Sequence, residues 1–255
     1  MAVSRSVTWG IAKRSLILIP RVLSTFIPSV VMPIFLTAAF AGAFAGLVLL
    51  PGFPADSSID WFIPMTTMQG GAFAGVTTGM GVARDLENGF YDRLLLSPAS
   101  RGSLLAGPIA ASVLRGLIPL SILLVVAVLS GAHFKGGVAG VGTLALGALG
   151  LALIAGSWSV ALALKFKTMQ VAPLMQTGVF MSIFLSTAQM PLPLLTGWLQ
   201  DVARYNPITK VLDLGRQGFL GPVSWARTWP GLLALTGMSF GMFLFAYRQM
   251  KRVVP

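Results

Sequence analysis

Six stretches of this chain run for 19 to 33 residues without a single Asp, Glu, Lys or Arg. They cover residues 22–50, 61–83, 116–134, 136–164, 168–200 and 228–247. About 20 apolar residues cross the hydrocarbon core of a bilayer as a helix, so each run is long enough for a span. A soluble domain carries about 25% charged residues; this chain has 10%, with 55% hydrophobic residues and a mean hydropathy of +0.83. So little charge cannot cover a water-exposed surface. Strand-length alternation is absent, which argues against a β-barrel. The expected fold is an all-α integral membrane protein with six transmembrane helices in one domain, residues 1–255. The first and fourth runs are long enough to tilt or to continue past the membrane. The fifth should stop near Gln189, because Met190-Pro-Leu-Pro193 breaks a helix.

Charge orients the spans. With the N-terminus inside, the cytoplasmic segments hold 13 of the 18 Lys and Arg residues and three of the seven acids. The outer segments hold five basic residues against four acids. Basic residues flank the cytoplasmic side, which places both termini in the cytoplasm. A net charge of +11 is then a topology signal with anionic lipid headgroups as neighbours, and nucleic acid is not an expected partner. A cleavable signal peptide fits poorly, since the first run is twice the usual apolar length despite the small residues Ala41-Gly42-Ala43. Cysteine is absent, which removes disulfides, iron–sulfur clusters and thiol catalysis. The one histidine, His133, gives no histidine-based metal site and is expected to be solvated beside Lys135.

Three segments outside the expected spans are too apolar for free loops. Residues 5–21 mix Val7, Trp9, Ile11, Leu16 and Ile19 with Lys13, Arg14 and Arg21, the pattern of an amphipathic helix lying along the inner leaflet. Residues 84–101, RDLENGFYDRLLLSPASR, combine acids with Phe90, Tyr91 and Leu94 to Leu96, and Pro98 ends any helix there. A short helix of this kind cannot bury its own apolar side, so either a partner surface or lipid headgroups should cover it. Residues 190–227 form the third segment. Leu195, Trp198, Leu199 and Val202 recur at helical spacing, Asn206 fits an N-cap and Pro207 the first helical position. Ile208, Val211, Leu212, Gly215 and Phe219 continue the stripe, with Lys210, Asp213 and Arg216 opposite. A short external helical hairpin is expected here before the last span, dipping into or lying along the outer leaflet.

The order Asp85-x-x-x-Gly89-x-x-Asp92-Arg93-x-x-x-x-Pro98-x-x-Arg101 resembles the cytoplasmic coupling segment of type-2 ATP-binding-cassette (ABC) exporter permeases, nearest the drug- and antibiotic-resistance (daunorubicin-resistance-type) branch. Tyr205-Asn206-Pro207-Ile208-Thr209 followed by Arg216 is similar to the motif before that family's last span. The resemblance implies that residues 84–98 seat in a groove of a separate ATPase and that residues 1–21 form a connecting helix beside it. Two ATPase copies or domains would bind ATP and Mg2+, and a second permease, identical or homologous, would complete the unit. Many relatives begin the coupling segment with Arg-Glu; here it is Arg84-Asp85, followed by Glu87. The implied activity is export of an amphipathic drug, lipid or lipid-linked molecule across the cytoplasmic membrane of a bacterium. The chain itself would be no enzyme and hold no cofactor.

The residues agree with an external energy source. There is no GxxxxGK[ST] loop for ATP phosphates. No acid lies inside the six runs, where ion-coupled carriers place ionisable groups. A self-contained secondary transporter nevertheless stays open, because backbone carbonyls can bind sodium. A lipid-modifying enzyme would need a cluster of acids, His or Cys that this chain lacks. Phe35, Phe44, Met68, Gln69, Phe73, Gln176 and Phe180 could line an apolar substrate path, or simply pack. The stripes Gly42-x-x-x-Gly46, Gly71-x-x-x-Gly75-x-x-x-Gly79 and Gly237-x-x-x-Gly241 permit close helix approach, within one subunit or between two.

Overall fold

A computed structural model describes residues 5–17, 27–95 and 100–253. Among these residues every regular element is helical: α1 (Arg5–Ile17), α2 (Pro28–Ala43), α3 (Ser58–Glu87), α4 (Phe90–Leu95), α5 (Arg101–Leu129), α6 (Gly137–Phe166), α7 (Ala172–Phe184), α8 (Trp198–Tyr205), α9 (Pro207–Leu220) and α10 (Trp225–Val253), with short 3-10 turns between some of them. Three helices among the described residues are long and apolar enough to cross a membrane, namely α5, α6 and α10 over Trp225–Arg252.

Helix α3 is as long as these but holds Asp60, four threonines, Gln69 and five glycines. Lipid would penalise that composition, yet all of 60–83 except Phe73 and Gly81 is buried. Helices α2, α5, α6 and α9 surround it, so α3 faces protein rather than lipid and needs no high hydropathy. Its Gly71, Gly75 and Gly79 lie against α6. A Cβ at these positions would overlap the Ala148 carbonyl, the Ala152 carbonyl and the Ser159 side chain in turn. This stripe therefore serves packing inside the chain. Around Gly42, Gly46, Gly237 and Gly241 the space is open.

Two expected spans are shorter than their charge-free runs. Helix α2 has 16 residues, about 24 Å at 1.5 Å per residue, and gives way to a 3-10 turn at Ala45–Leu49. Helix α7 has 13 residues, about 20 Å against a hydrocarbon core of about 30 Å. It stops five residues before Gln189 because its carbonyls are claimed elsewhere. Asn206 Nδ2 donates to the Ser182 and Leu185 carbonyls at 2.8 Å each. Arg216 takes the Thr187 and Ala188 carbonyls at 3.1 Å each. Pro191 has no N–H to offer Thr187 in a continuing helix.

Helices α8 and α9 meet at Asn206-Pro207. Helix α9 goes deeper than a surface hairpin. It is buried along 208–219 apart from Lys210 and Asp213, and packs on α3, α6 and α10. At its end the Gly136 N–H donates to the Gly218 carbonyl at 2.7 Å, where two glycine backbones meet.

Candidate functional site

The end of the bundle formed by α1, α4 and the adjoining ends of α3 and α5 gathers most of the residues singled out in 84–101. Helix α1 lies across α5 at Gly107, where a Cβ would come within 2.7 Å of the Ile11 side chain. Helix α3 closes with Asn88 N–H on the Arg84 carbonyl at 3.0 Å and Gly89 N–H on Leu86 at 3.1 Å. Gly89 then takes φ +65°, a left-handed value that suits glycine, and the chain turns into α4. Gly89 thus sets the direction of α4 through its own backbone.

Arg14 ties α1 to this turn. Its Nη1 and Nη2 donate to the two Asp85 carboxylate oxygens at 2.6 and 2.9 Å, a bidentate pair. The same guanidinium lies 4.0 Å from the centroid of the Phe90 ring. Asp85, through this hydrogen bond above all, raises the Arg14 pKa. Tyr91 is 2% exposed and its hydroxyl donates to the Leu104 carbonyl at 3.1 Å, joining α4 to α5. Burial pushes its phenol pKa up and keeps it a neutral donor. Glu87 reaches the loop after α6, accepting from the Met169 N–H at 2.7 Å and the Thr168 hydroxyl at 2.8 Å. The Met169 N–H first, then Thr168, hold its carboxyl below the usual glutamate range.

Arg84, Asp85, Phe90 and Tyr91 therefore gather with Arg14, while Glu87 turns to the loop after α6 and Gly89 shapes the turn between α3 and α4. Arg93 is exposed on α4, Asp92 lies on the same helix, and Arg101 opens α5. Trp9 and Lys13 face outward from α1. Arg21 and Pro98 lie outside the described residues. One expectation changes. Tyr91 is an internal anchor, so its ring is not available to a partner surface, whereas Phe90 remains half-buried.

The opposite end has a second cluster. Asn206 caps α9 through Oδ1, which accepts from the Ile208 N–H at 2.9 Å, while its Nδ2 holds the end of α7. Pro207 occupies the first helical position. Arg216 is the main surprise. Placed with Lys210 and Asp213 by helical spacing, it is in fact 1% exposed. It lies 3.5 Å from the Trp61 ring centroid, and Nε donates to the Trp61 carbonyl at 3.2 Å. The Trp61 indole N–H in turn donates to the Gln189 carbonyl at 3.1 Å. His133 is engaged as well. Its backbone N–H and Nδ1 approach the fully buried Asp60 carboxylate at 2.8 and 3.0 Å. Asp56 and Lys135 pair at 2.6 Å on the same side.

Of the possible path residues, Phe73, Gln176 and Phe180 line one cavity of about 320 Å3 with Met32 of α2. The others separate. Phe35 is exposed, Phe44 packs on Phe40 and Phe62, and Met68 is a core filler seated against Gly147 and Gly215. Gln69 is fully buried, and neither amide atom has a partner among the described residues. No group of three or more His, Cys, Asp or Glu suited to a metal ion occurs among the described residues.

Comparison with known proteins agrees with this architecture. The family described as ABC-2 type transporter matches residues 6–220. The chain is 26% identical over 186 residues to the daunorubicin resistance ABC transporter permease protein DrrB1 of Streptomyces coeruleorubidus, a match covering 71% of this chain and 62% of that relative. The chain thus spans less than two thirds of the relative's length.

Proposed function

The chain belongs to the ABC-2 type transporter family, and from that premise we propose that it is the permease subunit of an ATP-driven exporter. Six spans cross the cytoplasmic membrane of a bacterium, with α5, α6 and α10 joined by α2, α3 and the short α7. Both termini and residues 84–101 face the cytoplasm, and 190–227 belong to the outer side. Residues 1–255 act as one transmembrane domain. Two copies of a separate ABC ATPase bind ATP and Mg2+, and a second permease, identical or homologous, completes the particle among membrane lipids. The substrate is an amphipathic drug, lipid or lipid-linked molecule. The drug-resistance name of the relative and the apolar cavity at Phe73, Gln176 and Phe180 both favour that class.

One observation carries the reading. Helix α4 follows α3 across the single turn at Gly89; Arg14 of α1 pairs with Asp85 of α3 and covers the Phe90 ring of α4, and Tyr91 ties α4 to α5. A displacement of α4 by an ATPase would reach α3, the helix on which α2, α5, α6 and α9 all pack. Phe90, Arg93 and Glu87 offer the contact, and Phe90 is its aromatic anchor.

The test is co-expression with an ABC ATPase and uptake of daunorubicin into inside-out vesicles. Uptake should require ATP and vanish when the ATPase phosphate-loop lysine is replaced. Phe90→Ala should weaken ATPase co-purification by about 2 kcal/mol, as loss of an interface anchor does. Gly89→Val should uncouple ATP turnover from uptake. Uptake that persists without the ATPase and collapses with the proton gradient would assign a secondary transporter instead.

A further inference from the structure

A cavity of about 330 Å3 lies between α1, α3, α4 and α5, behind the Arg14–Asp85 pair. That is at the lower end of the range for ligand pockets. Two of its lining residues are buried polar side chains with hydrogen-bonding capacity left over. Arg115 is 8% exposed; its Nη1 donates to the Thr77 hydroxyl at 3.2 Å and its Nη2 to the Ser15 carbonyl at 2.5 Å. Its Nε has no partner among the described residues, and neither has the Thr78 hydroxyl, on a residue 3% exposed.

The charge around the cavity is unbalanced. Among the described residues Arg14, Arg84 and Arg115 line it, with Asp85 as the one carboxylate, and both Asp85 oxygens are already taken by Arg14. A buried guanidinium without a counter-charge is unfavourable, and an anion supplying acceptor oxygens relieves it. The remaining walls, among them Val7, Ile11, Val82 and Leu104, are mostly apolar. Such walls suit the glycerol and first methylenes of a lipid and would strip a hydrated free ion without compensation.

We propose that this cavity binds the phosphodiester headgroup of an anionic membrane phospholipid, with Arg115 Nε and the Thr78 hydroxyl as its donors and the connecting helix α1 as its outer wall. The rest of the lipid stays in the bilayer. The excess of arginine selects phosphatidylglycerol over phosphatidylcholine, whose choline brings its own cation. Neither the ATPase assignment nor the orientation of the chain enters this inference.

Native mass spectrometry of the full chain, released from nanodiscs of mixed phosphatidylglycerol and phosphatidylcholine, tests it. The wild type should retain one phosphatidylglycerol per chain in preference to phosphatidylcholine by about tenfold or more, the range of a charge-assisted hydrogen bond. Arg115→Gln should remove that preference. Because Arg115 also holds Ser15 and Thr77, Thr78→Val is the cleaner variant: its hydroxyl has no partner within the described residues, and its loss should lower retention several-fold. Lys135→Gln, at the other end of the bundle, should leave retention unchanged. Equal retention of the two lipids, or full retention in both Arg115→Gln and Thr78→Val, overturns the proposal. Displacement of the retained lipid by millimolar inorganic phosphate would reassign the cavity to a free anion and equally overturn it.

Discussion

Arg14 lies 4.0 Å from the centroid of Phe90 at one end of the bundle, and Arg216 lies 3.5 Å from that of Trp61 at the other, yet the two are held by different means. Arg14 keeps more than a third of its side chain exposed and answers a carboxylate, Asp85. Arg216 is fully enclosed and donates to three backbone carbonyls, on Trp61, Thr187 and Ala188. An ion pair in contact with water gains little because water serves both partners well. A buried guanidinium that replaces missing helix N–H groups cannot be removed without orphaning carbonyls. The first arrangement can open and close; the second is a fixed joint. That division suits the coupling role proposed for the α4 end, while the far end keeps α3, α7 and α9 together.

The contrast is broken most severely by Arg216→Ala. Three carbonyls lose their donor and a void opens beside Trp61, so stability should fall by about 3 kcal/mol or more. The thermal midpoint of the detergent-purified permease, followed by size-exclusion chromatography after heating, measures this. Arg216→Lys keeps the charge but not the planar fork, and should recover only part of the loss. A drop no larger than that of Arg14→Ala would erase the distinction.

Asn206→Ala comes next, at about 2 kcal/mol, combining a lost N-cap with two released carbonyls at the end of α7. Asn206→Asp separates these parts in the same assay. It retains the cap oxygen but turns an acceptor towards both carbonyls, so a midpoint no higher than that of Asn206→Ala is expected.

Arg14→Ala sharpens the comparison from the other side. Its stability cost should be about 1 kcal/mol or less and should shrink further in high salt. Coupled ATP turnover, measured with the partner ATPase, should fall by a larger factor than stability alone accounts for. A thermal loss matching that of Arg216→Ala would make Arg14 a fixed joint too.

The smallest effect belongs to Glu87. Its carboxyl is held below the ordinary glutamate range, so its tie to Met169 is present above that range and lost as pH falls through the lowered value. Hydrogen exchange at the Met169 amide, corrected for intrinsic rate, should show protection that declines on acidification in the wild type. In Glu87→Gln it should be weaker and nearly independent of pH, with an unchanged thermal midpoint at neutral pH.

The long helices were legible because charge marks the water boundary. The runs at 116–134, 136–164 and 228–247 fall on α5, α6 and α10, and Asn206-Pro207 marks the start of α9. Periodicity misplaced Arg216 because a stripe reports one buried face, and α9 is enclosed along 214–219 by α3, α6 and α10. No spacing rule shows that a second and third helix cover the polar side. The internal anchoring of Tyr91 is not legible for a related reason: its hydroxyl partner, the Leu104 carbonyl, is a backbone atom that no motif encodes. The His133–Asp60 contact joins residues 73 positions apart. A buried acid at the head of α3 was its one sequence clue. Arg115 borders the 116–134 run, and its burial depends on where α1 lies, since it donates to the Ser15 carbonyl.

The glycine contacts between α3 and α6 restrict how the bundle can move. At Gly71, Gly75 and Gly79 the two backbones leave no room for a methyl group. Longitudinal sliding would drive Ala148, Ala152 and Ser159 over the intervening side chains of α3, and packed helices shift between discrete registers rather than continuously. The pair should consequently travel as one rigid strut. Any inward-to-outward cycle has to place its hinges elsewhere, where α2 and α7 meet that strut with fewer close backbone contacts. The cavity at Phe73, Gln176 and Phe180 opens along that seam, so its width is the coordinate along which the cycle should be seen.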